Sequence, residues 1–266
     1  MEKNRTTISS KCSDDTLIAI PIFNEAGFVD DILSAVHQYA VNILVVDDGS
    51  NDGTGYLLKK YGFINVICHQ INKGYGQSLI DAFDFGQTNG FEWIITMDCD
   101  HQHQPSRILH FLKEIEKNDA DIISGSRYLY MENLGSAKPP PERVAINRQI
   151  TYLLNNILGI NLSDSFCGFK AYRVKSLNRL NLTEKGYGLP LQLWIQAVRA
   201  NLRIREIPVP LIYHDPKRNF AGTLEIPKFR KEYYMSIIQR ELALNDCKNT
   251  AKISCSEREK FDICES

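Results

Sequence analysis

Asp98 and Asp100 stand two residues apart in Ile94-Ile95-Thr96-Met97-Asp98-Cys99-Asp100-His101-Gln102-His103-Gln104-Pro105, where an apolar run ends and a proline opens the next segment. Side chains alternate along an extended chain, so this spacing turns both carboxylates to one side at the carboxyl end of a strand. Two carboxylates so close repel unless a cation lies between them or a partner separates their roles. A hard divalent ion carrying a phosphate ligand resolves that conflict, because such ions take oxygen donors and retain substrate phosphates in their shell. Alone, the pair is a common helix-capping arrangement; its company gives it weight.

That company sits at the ends of other apolar runs. Segments at 16–20, 42–46, 65–68, 93–97 and 120–124 predict strands, and patterns at 28–39, 52–61, 75–87 and 105–117 predict helices between them. Apolar strands alternating with helices require a mainly parallel sheet covered on both faces, an α/β fold. Pro21-Ile22-Phe23-Asn24-Glu25 follows the first strand, Asp47-Asp48-Gly49-Ser50 the second and Asn72-Lys73-Gly74-Tyr75-Gly76 the third. The acidic pair follows the fourth and Ser124-Gly125-Ser126-Arg127-Tyr128 the fifth. In such sheets these ends meet in one crevice. It would gather acids for a ribose and base, a lysine, a metal-type pair and an arginine. Plainer roles compete: Asp52 as a helix cap, Asp47 holding backbone amides, Lys73 solvated, His101 and His103 on the surface, and Cys68, Trp93 and Trp194 in the core.

After Tyr128 the rhythm changes. A proline-rich loop at 135–142 precedes a helix at 143–158; 166–173 is extended, 189–200 helical, and 202–209 a further strand of the same sheet. A polar loop at 213–223 leads to a helix at 226–244, with Phe229, Tyr233, Ile237, Ile238 and Leu242 on a face expected to pack on the core. The expected organisation is a flexible start at 1–15, one domain at 16–244 and a flexible tail at 245–266. Within the domain, the change of rhythm divides 16–128 from 129–244.

The bulk properties narrow the class. A formal net charge of -1 over 266 residues argues against a nucleic-acid binder dominated by phosphate contacts. No apolar run approaches the roughly 18 residues that cross a bilayer, and the polar opening lacks a signal peptide's apolar core. The expected location is cytoplasmic, with peripheral contact to the membrane face through the proline-rich loop and the late helix. The cysteine count is odd, at 7, with no Cys-x-x-Cys, so neither a disulfide framework nor a zinc site is indicated.

Taken together, these pieces resemble the family 2 glycosyltransferases of GT-A fold, especially the dolichol- or polyprenol-phosphate mannose synthase branch. The matching pieces are Pro-Ile-Phe-Asn-Glu, Val-Asp-Asp-Gly-Ser-x-Asp-Gly-Thr, Asn-Lys-Gly-x-Gly, Asp-Cys-Asp-x-Gln-His and Gly-Ser-Arg-Tyr. Asp164-Ser165-Phe166-Cys167-Gly168-Phe169 is similar to the later Asp-x-x-Ser-Gly-Phe element, with cysteine for serine. The resemblance spans 16–223 and implies a GT-A domain with a C-terminal helix, its nucleotide-sugar half at 16–128 and its acceptor half at 129–244. It further implies a nucleotide-diphosphate sugar as donor, Mg2+ or Mn2+ as cofactor, and inversion at the anomeric carbon.

Carried over by residue, Pro21, Phe23, Glu25, Lys73 and Cys99 would border the nucleotide sugar, with Phe23 where the family often has tyrosine. Asp48 resembles the acid near base and ribose, Asp98 would face the sugar, and Asp100 and Gln102 resemble the metal ligands. Arg127 resembles a contact to the diphosphate or acceptor phosphate, as suits a guanidinium fork. Arg218 resembles a late arginine closing over the site, and Asp164 is a possible base. Relatives acting on hydroxyls carry a carboxylate base near the helix after the Gly-Phe element. Here Gln192 stands about there, and an amide takes no proton. A phosphate monoester is already ionised near neutral pH. The expected acceptor is therefore a polyprenyl or dolichyl phosphate held by Arg127, Arg143 or Arg148. The alternatives are a soluble transferase using a hydroxyl acceptor in cell-wall, capsule or other glycan synthesis, and a nucleotide-sugar-binding protein without turnover.

Overall fold

Each apolar run of the first half becomes a strand, and all but the third are buried between helices. In a computed structural model describing residues 15–129, 139–212 and 222–261, these are β1 (Thr16–Ile22), β2 (Ile43–Asp47), β3 (Ile64–Cys68), β4 (Trp93–Thr96) and β5 (Ile122–Ser126). Between them lie α1 (Val29–His37), α2 (Thr54–Leu58), α3 (Tyr75–Thr88) and α4 (Ile108–Glu116). The second half supplies α5 (Pro141–Leu158), β6 (Lys170–Arg173), α6 (Val174–Leu177), α7 (Leu189–Arg199), β7 (Ile204–Pro208) and α8 (Pro227–Phe261).

The strands form one seven-stranded sheet in the order β3-β2-β1-β4-β6-β5-β7. All neighbours are parallel except at β6, which runs antiparallel to β4 and β5. That reversal matters for the site. The start of β6 lies against the carboxyl ends of its neighbours, with Lys170 paired to Thr96 and Ser124. The turn preceding β6, at 164–169, therefore arrives at the edge where the other strands end. Alternation along β1 splits the core: Ile18, Ile20 and Ile22 meet α1 and α4 on one face. Leu17 and Ala19 face the layer of α3, α5, α7 and α8 on the other. Trp93 and Trp194 are buried as expected, and the Trp194 Nε1–H donates to the Ser165 carbonyl at 2.9 Å.

Several expectations shift. Cys68 is exposed, not core, because β3 is the sheet's edge strand. The helix of 226–244 continues to Phe261, where a tail was expected. Of its expected core face, Ile237 and Ile238 are buried and Tyr233 and Leu242 pack against the core; Arg230, Tyr234 and Glu241 are buried with them, leaving Phe229 exposed. Buried polar anchors hold that face: the Arg230 guanidinium donates to the Leu224 and Glu225 carbonyls at 2.7 and 2.9 Å. Residues 1–14, 130–138 and 213–221, and with them Arg218 and much of the proline-rich loop, lie outside the described residues.

Candidate active site

β4 ends at Thr96, one rung before the acids, and the chain then bends, with His101 at a left-handed φ of 58°. Strand alternation therefore stops short of the pair, and the two carboxylates meet different surroundings. The Asp98 side chain is 33% exposed, while Asp100 is buried. Asp98 Oδ1 accepts the Tyr75 hydroxyl at 3.3 Å, and Asp100 Oδ1 accepts the Gln102 backbone N–H at 3.1 Å.

His103, expected at the surface, is buried with its ring 5.0 Å from that of Phe169. Its Nδ1 accepts the Asp98 N–H at 2.9 Å, which requires a lone pair there. Burial pushes the imidazole down to about 4, so the neutral form holds this bend in place at neutral pH. Gly168 closes the other side: a Cβ there would lie 2.9 Å from both Asp98 Oδ2 and the Tyr75 hydroxyl. Any larger residue would push Asp98 aside. The Asp100 carboxylate and the Gln102 amide are oxygen donors on one bend, a set that fits a hard divalent ion completing its shell with water and phosphate.

Arg127 emerges from the end of β5 and is held by Asp164. Its Nε and Nη2 donate to the two carboxylate oxygens at 2.7 and 2.9 Å, and its backbone N–H adds a third bond at 3.2 Å. The same carboxylate accepts from Asn147 Nδ2 at 3.1 Å and the Phe166 N–H at 3.2 Å. Asp164 is fully buried. Burial alone would raise its carboxyl, but the Arg127 charge and these bonds outweigh it and hold it at about 2. So saturated a carboxylate is a weak proton acceptor; the geometry supports positioning of Arg127 over the possible role as base. Asp164 is itself fixed, since its N–H and that of Ser163 donate to Glu206 at 3.0 and 2.7 Å. Arg148, exposed and next to Asn147 on α5, shares the Tyr128 phenol with Arg127: burial raises that phenol and both guanidinium charges oppose the rise. Arg143 instead lies towards Tyr234 on α8.

On the nucleotide side, Pro21 and Glu25 are buried and Phe23 presents an open ring, 41% exposed. The loops after β1 and β2 are stitched together. Asn24 Oδ1 accepts the Asn51 N–H at 2.8 Å, and Asp52 accepts the Ala26 and Thr54 N–H groups, each at 3.0 Å. Asp47 accepts the Ser50 N–H at 3.0 Å, so Asp47 and Asp52 serve backbone. Asp48 is buried, and its oxygens accept the Lys73 and Gly74 N–H groups, both at 2.8 Å. It thereby shapes the loop before α3, whose first residue, Tyr75, reaches Asp98. The Lys73 side chain is exposed, and Cys99 is buried in the core.

Gln192 is not at the site. It is buried between α7 and α8, accepting the Thr183 and Glu184 N–H groups at 2.8 Å each and donating to Glu241 Oε1 at 2.6 Å. What reaches the site from there is the loop before α7, through Tyr187, stacked on Tyr75 at 5.7 Å between centroids. The first turn of α7 carries no acid. Sequence reasoning missed Tyr75, His69, His103 and the buried Lys170, whose Nζ donates to the Cys167 carbonyl and lies 5.4 Å from the Trp194 ring. Lys170 directly follows the Gly-Phe pair at the start of an antiparallel strand, the one signal that marked it.

This topology, with its acids and arginine at one sheet edge, defines a GT-A fold of glycosyltransferases. Glucosyl-3-phosphoglycerate synthase from Mycobacterium tuberculosis, crystallised with Mn2+, uridine diphosphate and glucosyl-3-phosphoglycerate, aligns with a TM-score of 0.66. The alignment covers 87% of this chain and 81% of that one at 17% identity, a likeness of fold. The model of glycosyl transferase family 2 matches residues 17–180, and the chain belongs to that family. It is 30% identical over 204 residues to polyprenol monophosphomannose synthase of Mycolicibacterium smegmatis, covering 73% of this chain and 76% of that protein. It is 28% identical over 205 residues to undecaprenyl-phosphate mannosyltransferase of Micrococcus luteus, covering 74% and 83%.

Proposed function

We propose that this glycosyltransferase moves a sugar from a nucleotide-diphosphate sugar to the phosphate of a polyprenyl-type lipid, inverting the anomeric carbon with Mg2+ or Mn2+ bound. The observation that carries the acceptor class is the Arg127–Asp164 pair. It commits Asp164, the possible base, to holding a guanidinium, and the first turn of α7 offers no acid in its place. A phosphate monoester needs no base, since its second ionisation lies near pH ~6. Its oxygen attacks the anomeric carbon as the bond to the leaving diphosphate breaks. Of the five N–H donors of a guanidinium, Asp164 takes two, leaving three directions for phosphate oxygens. Arg148 adds charge beside it. Asp98 orients the sugar, and the Phe23 ring offers a stacking face for the base. A divalent ion on Asp100 and Gln102 would, when bound, neutralise charge developing on the diphosphate.

The names of the two mannosyl-transferring relatives support a lipid-phosphate acceptor, and the Mn2+ in the Mycobacterium enzyme's crystal agrees with the ion. Among the described residues no helix is long and apolar enough to cross a membrane. Ile226 and Phe229, 49% and 45% exposed and interleaved with exposed Lys228 and Lys231, suit peripheral contact with an anionic bilayer. The test compares polyprenyl phosphate with the same lipid as free alcohol, using guanosine and uridine diphosphate sugars with Mn2+. Transfer to the phosphate alone is expected; preference for the alcohol would remove the proposal.

A further inference from the structure

His69, the first residue after β3, has a side chain only 2% exposed, and each ring nitrogen meets a carboxylate. Nδ1 lies 2.6 Å from Asp48 Oδ1, and Nε2 lies 2.6 Å from Asp81 Oδ2 on α3. A neutral imidazole has one N–H; its second nitrogen presents a lone pair, which repels a carboxylate oxygen at that distance. Both contacts are attractive at once when both nitrogens carry hydrogen. Each acid is also fixed from its other side. Asp48 accepts the Lys73 and Gly74 N–H groups, and Asp81 Oδ1 accepts Gln77 Nε2 at 2.8 Å. The His69 N–H donates to the Asp47 carbonyl at 2.8 Å, so the ring is anchored at its root.

We propose that His69, clamped by Asp81, is a positioning residue for the donor: bridging the two carboxylates, it fixes Asp48 and through it the loop at 69–75. This rests on the donor-site reading above. The loop matters because it leads into Tyr75, whose hydroxyl reaches Asp98. Asp48 therefore acts on the donor by organising backbone, which its burial already implies. The charges around the ring agree. Beside Asp48 and Asp81 stand Asp47 at the end of β2 and Asp84 on α3, whose carboxyl is raised by burial and by the Asp81 charge. Cys68, raised by burial and by Asp47, stays a neutral thiol. The Lys73 side chain is exposed, and the charge of Lys59 at the end of α2 opposes the rise at Cys68. Without the imidazole, two carboxylates face each other across the gap between β2 and α3, and like charges at that range repel.

The experiment uses the full chain labelled with 15N-histidine, the His69 signals assigned by their loss in His69→Gln. Both ring nitrogens should show shifts set by hydrogen bonds to carboxylates and displaced in Asp81→Asn; His69 signals that Asp81→Asn leaves unchanged would overturn the proposal. In parallel, UDP and GDP affinities and donor kinetics are measured for the parent, His69→Gln and the milder Asp81→Asn. Each variant should weaken nucleotide binding and raise donor KM about 10-fold, in line with loss of an outer-layer partner, with kcat at saturating donor within about twofold. Asp81→Asn binding nucleotide like the parent would also overturn it. Failure of the parent to bind either nucleotide would overturn the donor-site reading as well, and the parent control tells that result apart.

Discussion

Asparagine at position 164 would leave Arg127 folded around a charge that is gone. The carboxylate is fully buried, the guanidinium side chain 20% exposed, and two side-chain bonds at 2.7 and 2.9 Å join them. Removing one member of a buried ion pair costs about 3–5 kcal/mol, and the partial exposure of Arg127 points to the lower end, about 3. The acid shift gives a second figure. A carboxyl held at about 2 against an ordinary 3.8 contributes about 2–3 kcal/mol at neutral pH. A loss of about 3 kcal/mol lowers Tm by roughly 6–12 °C for a chain of this size.

The sign follows from the depressed value. The carboxylate's contribution is present above the unfolded acid's range, near pH ~4, and is lost as pH falls towards ~2. Urea unfolding should therefore separate Asp164→Asn from the parent at pH 7 and bring the two together near pH 2. The double variant Arg127→Met/Asp164→Leu, with both charges removed, should regain most of the stability and none of the transferase activity. Were Asp164→Asn as stable as the parent at pH 7 yet inactive, Asp164 would be moving a proton, and the positioning role would be wrong.

Three further outcomes are expected. Gly168→Ala should cut kcat/KM at least tenfold with a small change in Tm, because its Cβ would strike Asp98 and Tyr75; activity within twofold of the parent would show that Asp98 can shift without harm. Asp100→Ala should keep its fold but lose the manganese-dependent part of the thermal stabilisation by a nucleoside diphosphate, so an unchanged manganese response would discard Asp100 as a ligand. Tyr233→Phe removes a 2.7 Å hydrogen bond to Glu184, which anchors the loop carrying Tyr187. It should cost about 1–2 kcal/mol in urea unfolding, and no loss would show that α8 does not hold that loop.

Much of the fold was legible because its first half obeys simple periodicity. Apolar runs too continuous for one-sided burial announced a two-sided sheet, and the strand-end motifs marked the crevice. What escaped depends on where strands stop and on what lies across from them. The spacing of Asp98 and Asp100 was read as strand geometry, but β4 had already ended at Thr96 and a left-handed His101 bends the chain. His103 looked solvated because no local pattern reveals that Phe169, 66 residues on, covers it. Gln192 follows the Gly-Phe element at a distance that suggests the site, yet its side chain donates to Glu241, 49 residues later on α8. The lack of an acid at the start of α7 survives that correction, resting now on the first turn of the helix itself. The face of α8 expected to pack does so through Tyr233, Ile237, Ile238 and Leu242; what apolar spacing hides is the burial of Arg230 and Glu241 beside it, through polar partners, and the exposure of Phe229.

The most direct measurement is a crystal structure of the chain with Mn2+ and a nucleoside diphosphate, with the ion located by its anomalous signal. The ion should sit within about 2.3 Å of an Asp100 oxygen, with the Gln102 amide and diphosphate oxygens in its shell and the Arg127 guanidinium facing the phosphates. An ion bound away from Asp100, or a diphosphate lodged apart from the bend at 98–102, would contradict the account.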